Sequence, residues 1–301
     1  MNTSLAARFV LAALALSLAL GCAGGEKEPT GRVRPVAELP PDYATAWRAW
    51  YDETGDWPEW RAKVESDPAF SDFFVDNLLR VLVRHYDYSA LTTAQEMPGP
   101  FERSRRELIH LSDASAPVLI ELLIVGDGVV AYLAGDLLDD IDDPRWTLPL
   151  AQRLESERPE GRRRAAEWLG KMPHAGEEEE EVWRLLREAV RDPDWFVRAQ
   201  VALTAGERSV AIGRLDLARP VLVQALEDED LAVLQAACEA LHRSRDVRAV
   251  PALVRLYRRL EETATDLATV RAAQAALVSI TGARGPDSSK EWDAWWRENR
   301  P

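Results

Sequence analysis

The most reactive side chains in this sequence are two cysteine thiols, Cys22 and Cys238. A thiol becomes a nucleophile where a neighbouring base or cation keeps it ionised, and no such nucleophile–base motif is recognisable around either one. The four histidines form no Cys/His pair with metal-ligand spacing. Cys238 adjoins a column of alanines and is interpreted as a small buried residue. Without a P-loop, dinucleotide, HExxH or GxSxG motif, the sequence predicts no enzyme, no cofactor and no metal site.

Cys22 closes a segment with the composition of an export signal. Residues 1–8 carry one charged side chain, and Phe9–Leu20 is an unbroken run of apolar and small residues. The run is too short for a comfortable membrane span, which needs about 20 residues. The segment Leu18–Cys22, with sequence LALGC, resembles the lipobox of bacterial lipoproteins.

This resemblance implies that residues 1–21 are a signal peptide and that Cys22 becomes the acylated N-terminus. An ordinary signal peptide, with Cys22 lost or left free, is the alternative. In Gram-negative lipoproteins an aspartate after the cysteine favours the inner membrane. Ala23 stands there instead, so the resemblance implies an outer-membrane anchor facing the periplasm. Residues 22–41 are rich in glycine, proline and charge and predict a flexible tether.

Spaced tryptophans form a second candidate site. Trp47 and Trp50 lie near the start of the mature chain, and Trp292 and Trp295 lie near its end. A spacing of three places each pair on one helical face. Such pairs are either an aromatic surface for a peptide or glycan or bulky rings that seal the ends of a helical array. We favour the second interpretation.

Acidic side chains dominate the charge of the chain, whose formal net charge is −14. This charge disfavours nucleic-acid binding and favours a basic protein or peptide as partner. The run Glu177–Glu181 either binds a cation or basic partner or forms a solvated helix start, and the second is favoured. The cluster Asp139–Asp143 lacks the glycine and glutamate of a calcium loop and is interpreted as a turn.

The elements that would position these residues recur every 36 residues. Asp194, Asp230 and Asp266 each precede an amphipathic run and are predicted helix N-caps. Two further sets of small and aliphatic residues recur at this spacing, and we call each set a column. One column is Ala165, Val201, Ala237 and Ala273, and the other is Leu169, Ala205, Leu241 and Leu277. A fixed period of this length predicts stacked helical hairpins.

These columns resemble the bacterial HEAT repeat, including the form found in phycobilin lyases. The family pattern has an aspartate turn followed by Val-Arg, which Asp194 and Val197-Arg198 match best. The resemblance covers residues 101–285. It implies that Arg198 braces the turn between helices, although a ligand contact is an alternative role.

The predicted fold is all-α, an α-solenoid of HEAT-type helical hairpins with helical caps at both ends. Residues 42–100 lack the 36-residue period and predict a helical N-terminal region, residues 101–285 form the repeats, and residues 286–301 form a short C-terminal capping helix.

Together these features predict a non-enzymatic protein-binding scaffold of the bacterial envelope, held at the membrane by a lipid. Two alternatives remain: an enzyme related to the bilin lyases, and a structural lipoprotein that touches the cell wall. Solenoids of this kind usually bind proteins.

Overall fold

The computed structural model describes residues 41–53, 57–86, 99–263 and 266–300. Cys22, the predicted signal peptide and the predicted tether up to residue 40 lie outside these residues. Every regular element within the described ranges is a helix, which confirms the all-α prediction. The chain forms two compact units that divide between Asp142 and Asp143.

Six α-helices lie within the described residues of the first unit. Their bounds are α1 Pro41–Tyr51, α2 Trp57–Ser66, α3 Pro68–Arg84, α4 Gly99–His110, α5 Ser112–Val125 and α6 Gly128–Ile141. Helix α3 begins as its sequence predicts, because Asp67 accepts hydrogen bonds from the backbone amides of Ala69 and Phe70 and Pro68 occupies the first helical position. Helix α5 is apolar on most sides because it contacts α3, α4 and α6.

The division between the units falls inside the range 101–285 that the sequence assigns to repeats. Helix α4 packs on α3, and the rings of Tyr86 and Phe101 lie 6.3 Å apart. The buried Glu107 of α4 also accepts two hydrogen bonds from Arg61 of α2, at 3.2 and 2.7 Å. These contacts hold the first predicted repeat against the N-terminal helices.

The second unit contains nine α-helices among its described residues. Their bounds are α7 Thr147–Ala151, α8 Pro159–Leu169, α9 Glu179–Ala189, α10 Trp195–Ile212, α11 Leu215–Ala225, α12 Leu231–Ser244, α13 Val250–Thr263, α14 Leu267–Thr281 and α15 Ser289–Asn299. Helices α8, α10, α12 and α14 pack against one another in series and form the inner layer. Helices α9, α11 and α13 form the outer layer.

The inner layer is the more tightly packed of the two. A Cβ atom added to Gly206 of α10 would lie 2.6 Å from the Cβ of Ala240 in α12, so only glycine permits this approach. In the outer layer, a cavity of about 410 Å³ lies between α11 and α13, lined by residues that include Val223 and Leu256. The two layers therefore differ in how closely their helices pack.

The C-terminal helix α15 covers the last hairpin of the second unit. It packs on α13, and its Trp292 is fully buried. The indole Nε1 of Trp292 donates a 2.9 Å hydrogen bond to Gln274 Oε1 in α14. Helix α15 therefore caps the apolar end of the stack, as the sequence predicts for residues 286–301.

Candidate binding surface

Three aspartates begin the inner-layer helices at the 36-residue spacing. Asp194 accepts a 2.8 Å hydrogen bond from the amide of Phe196, and Asp230 accepts one of 2.8 Å from the amide of Ala232. Asp266 does the same for the amides of Ala268 and Thr269, at 3.3 and 2.9 Å. Each side chain satisfies amides that have no partner within the helix, so the three turns share one geometry.

The Arg198 side chain forms hydrogen bonds with the turn that begins the next repeat. Its guanidinium donates to both carboxylate oxygens of Asp228, at 2.7 and 2.9 Å, and to the carbonyl oxygen of Asp192 at 2.9 Å. The hydrogen bonds to the Asp228 carboxylate raise the pKa of Arg198. Burial alone would raise the pKa of Asp228, but the hydrogen bonds from Arg198 and from the Asp230 amide outweigh it and lower that pKa. The arginine therefore links successive hairpins.

An equivalent contact between an arginine and an aspartate occurs one repeat earlier. Arg162 lies 36 residues before Arg198 and donates to both oxygens of Asp192, at 2.5 and 2.8 Å. One repeat later a neutral side chain takes the place of the arginine. There Gln235 Nε2 donates hydrogen bonds to Asp266 at 3.2 Å and to Thr269 at 2.9 Å.

Exposed apolar side chains form a row at the same turns. Helices α10, α12 and α14 begin with Trp195, Leu231 and Leu267, which are 47%, 40% and 62% exposed. Phe196, next to Trp195, is 48% exposed, and the two ring centroids lie 5.2 Å apart. We call these four residues the apolar row.

The row lies along one edge because the inner-layer helices run parallel and nearly in register. Thr204 donates a 2.7 Å hydrogen bond to the carbonyl of Ala166, 38 residues earlier, and Ser279 donates to the carbonyl of His242, 37 residues earlier. These offsets are close to the 36-residue repeat, so the starts of neighbouring helices stand side by side.

Negative charge borders the row. The turn that precedes α12 carries Glu227 and Glu229, and the last turn of α13 carries Glu262; all three are exposed. Within the described part of the chain, no ion pair joins any of these three glutamates to a basic residue. One cation lies near the aromatic end of the row, where the Arg163 guanidinium stands 5.0 Å from the centroid of the Phe196 ring.

The four tryptophans singled out from the sequence lie in packed clusters. Trp47 and Trp50 stack with ring centroids 4.9 Å apart. Trp50 is 3% exposed and Trp292 is 0% exposed, so a recognition surface does not describe these two residues. Trp47 and Trp295 are half-buried. Sequence reasoning missed the apolar row, although the spacing of Trp195, Leu231 and Leu267 already carried the signal.

The structure also departs from the sequence-based expectation for the run Glu177–Glu181. Glu179 is buried and binds the buried Arg208 through two hydrogen bonds, at 2.8 and 2.5 Å. The interpretation of the whole run as a solvated helix start is therefore wrong for Glu179. Arg208 completes the arrangement by donating to the carbonyls of Leu169 and Met172, at 3.2 and 2.9 Å. This ion pair fixes the loop between α8 and α9.

The remaining reactive side chain within the described ranges is inert. Cys238 is fully buried, and burial raises the pKa of its thiol to about 12. Within those ranges no group of three or more His, Cys, Asp or Glu side chains is placed to hold a metal ion. No single described helix is long and apolar enough to cross a membrane, while the bent pair α4 and α5 meets that test jointly by length and composition.

Comparison with known proteins identifies the repeat. Residues 147–213, which run from α7 through α10, match the family model of HEAT repeats. The same pairing of helices continues to Thr281, so the second unit is an α-solenoid of HEAT-type hairpins. No match was found among curated proteins.

Two solved structures resemble the chain at low similarity. An engineered protein is 21% identical, with 69% of this chain and 96% of that chain covered and a TM-score of 0.39. The complex of CpcE and CpcF of phycocyanin lyase from a Nostoc species is 18% identical, with 86% and 100% covered and a TM-score of 0.32.

Proposed function

We propose that this chain is a lipid-anchored scaffold of the bacterial envelope that binds another protein through the apolar row. The row is the observation that carries the proposal. Scattered single apolar residues are normal on protein surfaces, whereas a contiguous apolar patch marks an interaction site. Here large apolar side chains recur at the first position of three successive inner-layer helices.

The size of the row sets the expected strength of binding. Fully burying a large apolar side chain is worth about 1.5–3 kcal/mol, and each row residue is already roughly half buried. Covering the remainder contributes roughly 1 kcal/mol per residue. The row alone therefore supports weak, reversible binding, to which surrounding polar contacts and the membrane anchor must add.

The proposed anchor is supported by the sequence around Cys22. Acylation of its thiol and of the new amino group would hold the chain at the outer membrane on the periplasmic side, and residues 23–40 would serve as the tether. Confinement at a membrane raises the local concentration of partners in the same envelope, which compensates for weak intrinsic binding.

Crosslinking in cells followed by affinity purification of the tagged full chain tests the binding role. The test variant carries Trp195→Ser, Leu231→Ser and Leu267→Ser, whose side chains are exposed, so folding is little affected. Val210→Ser is the matched control, because Val210 is 54% exposed on α10 and lies outside the row.

We expect a reproducible set of envelope proteins with the native chain and with Val210→Ser, and loss of that set with the triple variant. Circular dichroism of all three chains verifies that they fold equally. Equal recovery of the same proteins by the triple variant would overturn the proposed role of the row.

A further inference from the structure

The spacing of the apolar row restricts the shape of what can cover it. Neighbouring packed helices lie about 8–10 Å apart, so we expect Trp195, Leu231 and Leu267 to present apolar groups at roughly that interval. A polyproline II helix has three residues per turn and rises about 3.1 Å per residue. Its side chains at i, i+3 and i+6 therefore share one face and lie about 9 Å apart.

Other regular conformations fit this spacing less well. A β-strand places side chains at i and i+2 on one face, about 7 Å apart, and turns the residue at i+3 to the opposite face. An α-helix rises about 1.5 Å per residue, so it needs positions i, i+7 and i+14 to span the same three sites. The polyproline II conformation reaches all three with the shortest segment.

The aromatic end of the row favours the same conformation. Trp195 and Phe196 present two half-exposed rings inclined at 31° with centroids 5.2 Å apart. Exposed aromatic surfaces are what proline-rich segments dock against, because the proline ring is apolar and its backbone is already ordered. A preordered segment also loses little conformational entropy, which matters where the apolar contact is small.

The charge of residues near the apolar row indicates which side chains the other positions of a bound segment should carry. Glu227 and Glu229 are exposed in the turn before Leu231, Glu262 is exposed five residues before Leu267, and all three lack ion pairs among the described residues. Basic side chains between the apolar positions of a bound segment would face these carboxylates. We infer that the partner presents an extended, proline-containing basic segment with an apolar residue at every third position. This inference rests on the proposed role of the row.

Synthetic peptides test the inference directly. The probe contains about four repeats of Pro-Arg-Leu, which places leucine at every third position. One control has the same composition with the leucines at irregular spacing, a second replaces every arginine by glutamate, and a third is an amphipathic basic helix with leucine at every seventh position. Fluorescence anisotropy measures the binding of each labelled peptide to the purified full chain.

We expect the Pro-Arg-Leu peptide to bind at least about tenfold more tightly than each control, a difference of about 1.4 kcal/mol. This preference should disappear in Trp195→Ser and Leu267→Ser and persist in Val210→Ser. Equal binding of the regular and irregular peptides, tighter binding of the helix, or binding of none would overturn the inference. The proposed scaffold role would survive these results if the triple variant still lost its partners in cells.

Discussion

Arg208 and Glu179, 29 residues apart, form a buried ion pair in which Nε and Oε1 lie 2.8 Å apart and the side chains are 1% and 4% exposed. The Glu179 carboxylate also accepts a 2.8 Å hydrogen bond from the Ala175 amide. The guanidinium nitrogen atoms of Arg208 and the carboxylate oxygen atoms of Glu179 all have hydrogen-bond partners within the protein. The ion pair therefore holds the loop between α8 and α9 in one conformation.

Replacing Glu179 by glutamine should lower the free energy of unfolding by roughly 3–5 kcal/mol, because the Arg208 charge would remain buried without its counterion. Chemical denaturation followed by circular dichroism measures the change. Glu181→Gln is the matched control, since Glu181 is exposed and pairs with Arg184 on the surface, and it should change stability far less than Glu179→Gln does. Equal effects of the two substitutions would show that the buried pair has no special role.

Acid should destabilise the second unit through its buried carboxylates. Burial raises the pKa of Glu179, but the hydrogen bonds from Arg208 and Ala175 outweigh it, so the net pKa lies below the ordinary 4.5. The pKa of Asp228 is likewise held below 3.8. A carboxylate whose pKa is lowered by folding stabilises the native state above its unfolded pKa and loses that contribution as the pH falls.

The free energy of unfolding should therefore stay nearly constant above about pH 6 and fall below about pH 4.5. Glu179→Gln should show a shallower fall over the same range, because one of the contributing groups no longer titrates. Denaturation curves measured across this pH range test the prediction. A native chain whose free energy of unfolding rises towards low pH would contradict it.

Close packing of the inner layer should make Gly206 intolerant of even a methyl group. Alanine normally favours a helix by about 1 kcal/mol over glycine, yet Gly206→Ala should destabilise by about 1–3 kcal/mol because α10 and α12 must separate. Gly285→Ala should be nearly neutral, since no atom lies within 4 Å of an added Cβ there. A stabilised Gly206→Ala chain in thermal denaturation would refute the described approach of the two helices.

Membrane attachment should depend on a single cysteine. Cys22→Ser should move the chain from the membrane to the soluble fraction, because the lipid acceptor is lost. Cys238→Ala should leave fractionation unchanged, because Cys238 is a buried residue of the repeat. Persistent membrane fractionation of Cys22→Ser in high salt would rule out a lipid anchor at this position.

The sequence predicts the helical stack because each local signal agrees with the periodicity. Asp194, Asp230 and Asp266 are polar residues at a helix start, and the columns of small residues can be read without knowledge of tertiary contacts. The close approach of Gly206 to Ala240 could not be predicted, because it depends on the distance between two helices and not on either helix alone.

The candidate surface was harder to predict than the fold. A tryptophan in an amphipathic helix suits a core and a binding surface equally well, and only tertiary packing separates the buried Trp292 from the exposed Trp195. Glu179 could not be distinguished from its neighbours in the glutamate run, because its partner Arg208 lies on another helix. In both cases the deciding contact joins residues that are distant along the chain.

Photocrosslinking at Leu267 tests the binding role most directly. A photoreactive amino acid at this exposed position, compared in living cells with the same group at Val210, reports what touches each site. We expect a discrete protein adduct at position 267 whose crosslinked segment is basic and contains proline, with no such adduct at 210. Identical adducts at both positions, or none at 267 in a fully membrane-attached chain, would contradict it.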